Sequence, residues 1–281
     1  MSIKITSDST CDLSPALLQR YHIDLLPLSI IKGGAPYRDG LEITPSDISR
    51  HVADGGELPT TTAVSVGDYS QRFAQLSPRY EAVIHINIGS GFSSCYQNAC
   101  IAAEEFDNVY VVDSKNLSTG QGHIVVEAAL AAEAGMESQD ILTFLNGLIP
   151  RVEASFIINR LDYLAKGGRC STVAALGANL LKLKPCIDVR DGRMEVTRKF
   201  RGSFEKCALE YVRERLKGRD DLELDRIFIT HSATDHRVVE QVREEIGKYA
   251  SFKEILETHA GCTVFSHCGP DTLGILFIRS H

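Results

Sequence analysis

The residues best suited to bind an anion lie in Asn87-Ile88-Gly89-Ser90-Gly91-Phe92-Ser93-Ser94-Cys95-Tyr96-Gln97. A chain that leaves an apolar strand, turns on two glycines and enters a helix points free N–H groups and the positive helix end at one spot. A dinucleotide fingerprint would need glycine where Ser94 stands, so that match is partial. A hydrolase nucleophile elbow needs a serine with a glycine two residues away on each side, and no serine here has both. Ser94-x-x-Gln97 is a capping box, which predicts that Ser94 caps the helix and that Ser93 stands outside it with a free hydroxyl.

Two further polar clusters could act on the same ligand. Pro59-Thr60-Thr61-Thr62 is β-branched and therefore extended. Alternation then puts Thr60 and Thr62 on one side and Thr61 on the other. Ser266-His267-Cys268-Gly269-Pro270-Asp271 is read as leaving a strand and entering a turn, with His267 held by the Gly-Pro that follows; His231 is a weaker rival. Lys166-Gly167-Gly168-Arg169-Cys170-Ser171 reads as a glycine helix stop and a serine helix start. Arg169 there, and Arg201 in Lys199-Phe200-Arg201, could present cationic surface to a partner.

The elements that must position these groups follow from capping signals and periodicity. Ser14-Pro15, Thr44-Pro45 with Asp47, and Ser65 with Asp68 open helices. Strands are predicted at Ile3–Thr6, Leu25–Ile31, Ala82–Ile88 and Val109–Val112, and helices at Tyr96–Glu105 and Gly120–Ala134. Strands alternating with helices predict a mainly parallel sheet covered by helices over residues 1–150. After Pro150, strands at Ser155–Ile158, Lys184–Val189 and Met194–Lys199 precede helices at Glu205–Lys217 and Arg237–Tyr249. Asp191-Gly192 is a hairpin signal. Further strands are predicted at Arg226–Thr230, Thr263–Ser266 and Leu273–Arg279. The expectation is an α/β chain of two domains, the second (151–281) α+β with mixed and antiparallel strands.

Composition narrows the function classes. The 281 residues are 43% hydrophobic and 24% charged, with a net charge of -7 and no basic run, which argues against nucleic acid. No apolar run approaches the ~18 residues of a membrane span, and the first residues carry no signal-peptide pattern, so a cytoplasmic protein is expected. The eight cysteines include no Cys-x-x-Cys pair and read as reduced core or loop thiols; neither a metal nor a cofactor is expected.

Taken together, SDSTCDL (7–13), LPLSI (26–30), YRDG (37–40), LPTTTAVSVGDY (58–69), GSGFSSCYQNA (89–99), VVDS (111–114), LDYLAKGGRCS (161–171), KPCIDVRDGRM (184–194) and HCGPDTLG (267–274) resemble the DegV family of fatty-acid-binding proteins along nearly the whole chain. The resemblance implies two α/β domains with one long-chain fatty acid between them. It implies that Thr61, Thr62, Ser93 and His267, with Ser94 beside them, hold the carboxylate. It also implies a non-enzymatic carrier that presents the acid to a separate ATP-dependent fatty-acid kinase, a role that allows transient membrane contact. Two segments depart from the family pattern. Thr61-Thr62-Ala63-Val64-Ser65 stands where the family usually has Thr-Ser-Gln-Pro-Ser, and Ser93-Ser94-Cys95-Tyr96 where it has Ser-Gly-Thr-Tyr. The rival readings are a serine hydrolase using Ser93, His267 and Asp113, and a nucleotide-binding regulator using the Gly89–Gly91 turn.

Overall fold

A computed structural model describes residues 3–170 and 183–281. Helix α1 (Pro15–Arg20) starts where Ser14 accepts the Leu17 N–H, and α2 (Pro45–Ala53) starts in a complete Thr44/Asp47 capping box. Helix α3 (Val66–Leu76) starts where Ser65 accepts the Asp68 N–H. All three starts match the sequence reading, because a cap is a local device that needs only its own few residues.

Strands β1 (Ile3–Asp8), β2 (Asp24–Leu26), β6 (Ala82–Asn87) and β7 (Val109–Asp113) form an all-parallel sheet in the order β2-β1-β6-β7. A small antiparallel sheet joins β3 (Ser29–Lys32), β4 (Ala35–Arg38) and β5 (Thr60–Thr62) in the order β4-β3-β5. The single strand expected over Leu25–Ile31 is thus two strands in two sheets. Pro27, which has no N–H to donate, breaks the run.

The third sheet has six strands in the order β10-β9-β8-β13-β11-β12: β8 (Val152–Ile158), β9 (Leu183–Arg190), β10 (Arg193–Arg201), β11 (Leu222–Ser232), β12 (Glu254–His259) and β13 (Thr272–Arg279). Every neighbouring pair is antiparallel except β11 with β12. The β9–β10 hairpin turns on Asp191 and Gly192, both at positive φ (47° and 72°), as its sequence predicts. Helices Phe204–Leu216 and His236–Gly247 lie close to their predicted positions. The expected helix start at Ser171 falls outside the described residues.

Helix α5 (Ser118–Glu133) lies between the large sheets and is buried on nearly every side. A helix apolar all round is stable only inside a core. Toward the parallel sheet, Gln121 Nε2 donates to Ser7 Oγ (2.9 Å) and Asp8 Oδ1 (3.1 Å). Toward the mixed sheet, Thr119 meets Thr230 at 2.5 Å, His123 Nε2 meets the Leu276 carbonyl at 2.9 Å, and Glu127 pairs with Arg226 at 3.0 Å. One apolar cluster therefore runs from Ile5 and Ile86 through Ile124 and Val125 to Phe228 and Leu276.

The segment expected as a strand over Thr263–Ser266 is instead a helix, Cys262–Cys268. Its β-branched and aromatic residues favour a strand, but two buried carboxylates capture its start. Asp39 accepts the N–H groups of Cys262 (2.9 Å) and Thr263 (3.0 Å) and the Thr263 hydroxyl (2.6 Å), while Asp12 accepts the Gly261 N–H (2.8 Å). Aspartate side-chain oxygens accepting from orphan N–H groups at a helix start outweigh differences in propensity of a few tenths of a kcal/mol per residue.

Burial pushes the Asp12 carboxyl from 3.8 up to about 8; hydrogen bonds from Ser118 and Gly261 oppose the shift, and Asp39 and Asp8 add to it. The folded chain thus keeps this proton to higher pH than the unfolded chain does. The Asp12 contribution to stability falls as pH rises from about 4 toward 8. Asp12→Asn lacks that titration and keeps an acceptor for Gly261. Its stability relative to wild type should rise between about pH 5.5 and about pH 7.5, by up to ~1.4 kcal/mol per pH unit. Urea unfolding at the two pH values measures this, and the same pH dependence in both proteins would clear Asp12 of the role.

Candidate ligand site between the sheets

Strand β5, the loop after β6, Arg169 just beyond the Leu161–Gly167 helix, and the Cys262–Cys268 helix line a cavity of about 210 Å³. Thr61, Ser93, Ser94, Arg169 and His267 all line it, with Phe92, Met194 and Val264 as apolar walls. Residues from five separate stretches of sequence are therefore brought together. Leu117, Val264 and Cys268 also line a narrower inner space, which continues against Phe156 and Leu276 and is almost wholly apolar. The site thus has a cluster of polar groups set in a largely apolar chamber, with a small apolar space beyond it.

His267 sits in the last turn of its helix, rather than at the end of a strand. Its Nε2 lies 2.9 Å from Thr61 Oγ1, and its Nδ1 is buried without a hydrogen-bond partner among the described residues. Burial pushes its pKa down to about 4, and the Arg169 cation adds to the shift, so the imidazole is neutral at pH 7. Gly167 lets the ring come this close, since a Cβ there would lie 2.5 Å from Nδ1.

The serines exchange the roles expected of them. Helix α4 (Cys95–Ala103) has Ser94 at its N-cap position, but at ψ 5° that residue lacks the extended backbone that turns a cap side chain back, and it makes no cap bond. Ser93 Oγ accepts the Cys95 N–H instead (3.3 Å) and lies 3.2 Å from Cys95 Sγ. The Ser94 hydroxyl is the one left uncommitted at the cavity. Thr62 points away: alternation along β5 leaves it exposed and outside the cavity lining, while Thr61 faces in. Arg169 donates to the Gly167 carbonyl (2.8 Å) and lines the cavity; Arg201 is exposed at the end of β10 and does not line it.

Neither rival site is assembled. The Ser93 hydroxyl is engaged with Cys95 and His267 with Thr61, while Asp113 accepts from Ser90 (3.0 and 2.6 Å) and from the Lys115 N–H (3.0 Å), so Ser93, His267 and Asp113 form no relay. The Gly89–Gly91 turn is already filled. A Cβ on Gly91 would come within 2.1 Å of the Gly192 carbonyl oxygen, so this glycine serves packing against the β9–β10 hairpin.

Sequence reasoning passed over the groups that hold the site in place. Asp39 and Asp12 seat the His267 helix, and Asp8 seats the serine turn by accepting the Ile88 N–H (2.7 Å). Their one signal is acidic residues inside apolar surroundings in SDSTCDL and YRDG, where a buried carboxylate must find donors.

Solved structures share this architecture. A DegV family protein from Thermus thermophilus, described as fatty-acid binding, is 31% identical with a TM-score of 0.89, covering 99% of this chain and 100% of its own. A stearic-acid-binding protein from Eubacterium ventriosum is 26% identical with a TM-score of 0.84, covering 99% and 98%. The fold is therefore that of the DegV fatty-acid-binding structures. A DegV domain-containing protein from Clostridium acetobutylicum is 31% identical over 281 residues, 99% of each chain. The family model described as "Uncharacterised protein, DegV family" matches residues 2–280, and the chain belongs to the DegV family.

Gly167→Ala should push the His267 ring off Thr61 and toward water, so that its pKa climbs from about 4 toward the ordinary 6.5. Imidazole resonances followed through an NMR pH titration would report the shift. An unchanged titration would mean that Gly167 does not hold the ring in place.

Proposed function

We propose that this chain is a non-enzymatic carrier of one long-chain fatty acid, which presents the carboxylate to a separate ATP-dependent kinase. The observation that carries this reading is the gathering of Thr61, Ser93, Ser94 and His267 in one largely apolar cavity, with Leu117, Val264 and Cys268 separating it from a small apolar inner space. The fatty-acid-binding descriptions of the Thermus and Eubacterium structures support it.

In this reading the carboxylate meets Thr61, Ser93, Ser94 and His267. If His267 carries its proton on Nε2 and donates to Thr61, the threonine hydroxyl hydrogen is left for the ligand. The neutral imidazole and hydroxyls satisfy the carboxylate without a buried salt bridge, and the start of α4 adds a positive helix end. Tail burial supplies most of the affinity, at ~0.8 kcal/mol per CH₂ or roughly 11 kcal/mol gross for about 14 methylenes, before ordering costs. A modest grip on the head suits a ligand that must react and leave. Thr62 has no part in it, given its outward direction.

Solvent extraction of the natively purified protein, followed by mass spectrometry, should yield about one fatty acid per chain. Ser94→Ala and Thr61→Ala should each weaken binding by ~1.5–3 kcal/mol, the value of a hydrogen bond to a charged group. Ser93→Ala should also lower stability by ~1 kcal/mol through the lost helix cap. Absence of extracted acid together with no binding of added palmitate or oleate would refute the carrier reading.

Arg169 at the chamber, and Arg201 on the same half of the chain, offer cations to the kinase. Arg201→Glu should slow phosphorylation of the bound acid by a fatty-acid kinase while leaving acid affinity unchanged, whereas Arg169→Glu should slow it and also weaken acid binding, because it places a negative charge in the chamber lining. The loss should shrink at higher salt, since exposed charges are screened over ~8 Å at physiological ionic strength. Wild-type rates in both variants would remove these arginines from the docking surface.

A further inference from the structure

The parallel pair at the edge of the six-stranded sheet carries a second group of side chains, and one of its residues, His231, also borders the inner apolar space. His231 on β11 and His259 on β12 are register partners, so their side chains leave the same face of the sheet. Glu257, two residues before His259, shares that face. One donor atom from each of the three lies within 4.8 Å of the others. His231 Nε2 is 3.1 Å from Glu257 Oε1, and the two imidazole rings meet edge to face at 4.5 Å.

Three features distinguish this group from an ordinary surface ion pair. His231 is only 4% exposed, and its Nδ1 is buried without a hydrogen-bond partner among the described residues. The second oxygen of Glu257 is fixed by Arg243 Nη2 at 3.1 Å, and Arg243 is itself anchored to the Ile255 carbonyl at 2.7 Å. Ligating carboxylates are themselves held by hydrogen bonds, and Arg243 supplies that support to Glu257. Finally, the helix that follows β11 places His236 and Glu240, one turn apart, where their donor atoms group with Glu257 in the same way.

We propose that His231, Glu257 and His259 bind one Zn²⁺ ion or a similar divalent transition ion, with the fourth position facing His236 and Glu240. Two imidazoles and a carboxylate suit zinc, copper or nickel better than calcium or magnesium, which favour all-oxygen sites. Tetrahedral zinc with ligands at about 2.0–2.1 Å separates neighbouring donors by ~3.3 Å. The His231–Glu257 pair already stands near that spacing, and the exposed His259 ring has only to swing toward it. The site depends on neither a bound acid nor the kinase.

The test is titration of Zn²⁺ into the full chain, stripped with chelator and free of any affinity tag, by calorimetry or against a chromophoric chelator. Wild type should bind one equivalent, and His259→Ala and Glu257→Gln should each weaken it at least tenfold. His259 is exposed, so its variant tests the site without threatening the fold. Co²⁺ in place of zinc should give the visible bands of a tetrahedral nitrogen and oxygen site, without thiolate charge transfer. Three results would each overturn the proposal: no stoichiometric binding, unchanged affinity in both variants, or thiolate bands from any of the free cysteines.

Discussion

Three buried aspartate side chains hold the parts of this protein that face the chamber. Asp8, Asp12 and Asp39 lie at 0, 6 and 4% exposure, and each is surrounded by donors from elsewhere in the chain. Asp8 takes the Ile88 N–H at the end of β6 and the amide of Gln121 on α5. Asp12 takes the Ser118 hydroxyl at the start of α5 and the Gly261 N–H, and Asp39 takes the next two N–H groups of the His267 helix. A buried carboxylate is tolerated only where hydrogen bonds replace its water, so each one compels its donors to gather around it. The serine turn, the central helix and the histidine helix are located by that requirement.

Around this polar belt the packing is apolar and continuous. Helix α5 is buried over most of its length and serves both large sheets at once, which is why Thr119, Gln121 and His123 each reach a partner in one of them. The chamber forms where the loops of the parallel sheet meet the mixed sheet, and its inner end narrows into apolar surroundings. Polar groups at the opening and hydrocarbon-like walls inside are the physical requirement for an amphipathic ligand held head outward.

The neutral state of His267 follows from the same geometry. Burial and the nearby Arg169 cation both disfavour a second proton, so the ring serves as a fixed hydrogen-bonding group. A charged ring would grip a carboxylate more tightly, whereas a neutral one leaves retention to the tail.

What the sequence determined by itself was whatever depends on a few adjacent residues. The Ser14, Thr44 and Ser65 helix starts, the Asp191-Gly192 hairpin and the alternation that separates Thr61 from Thr62 were all legible, because caps, turns and pleats close over two to five residues. The order of nine short segments likewise pointed to the family that the whole-chain match bears out. Only the tertiary structure decided that Thr263–Ser266 is helical, since the carboxylate that seats it comes from Asp39, far away in the chain. Tertiary structure also passed the cap from Ser94 to Ser93, divided the Leu25–Ile31 run between two sheets, and set His231 beside His259 on neighbouring strands. Each of these depends on long-range contact, where one buried charge or one strand pairing outweighs local preferences of a few tenths of a kcal/mol per residue.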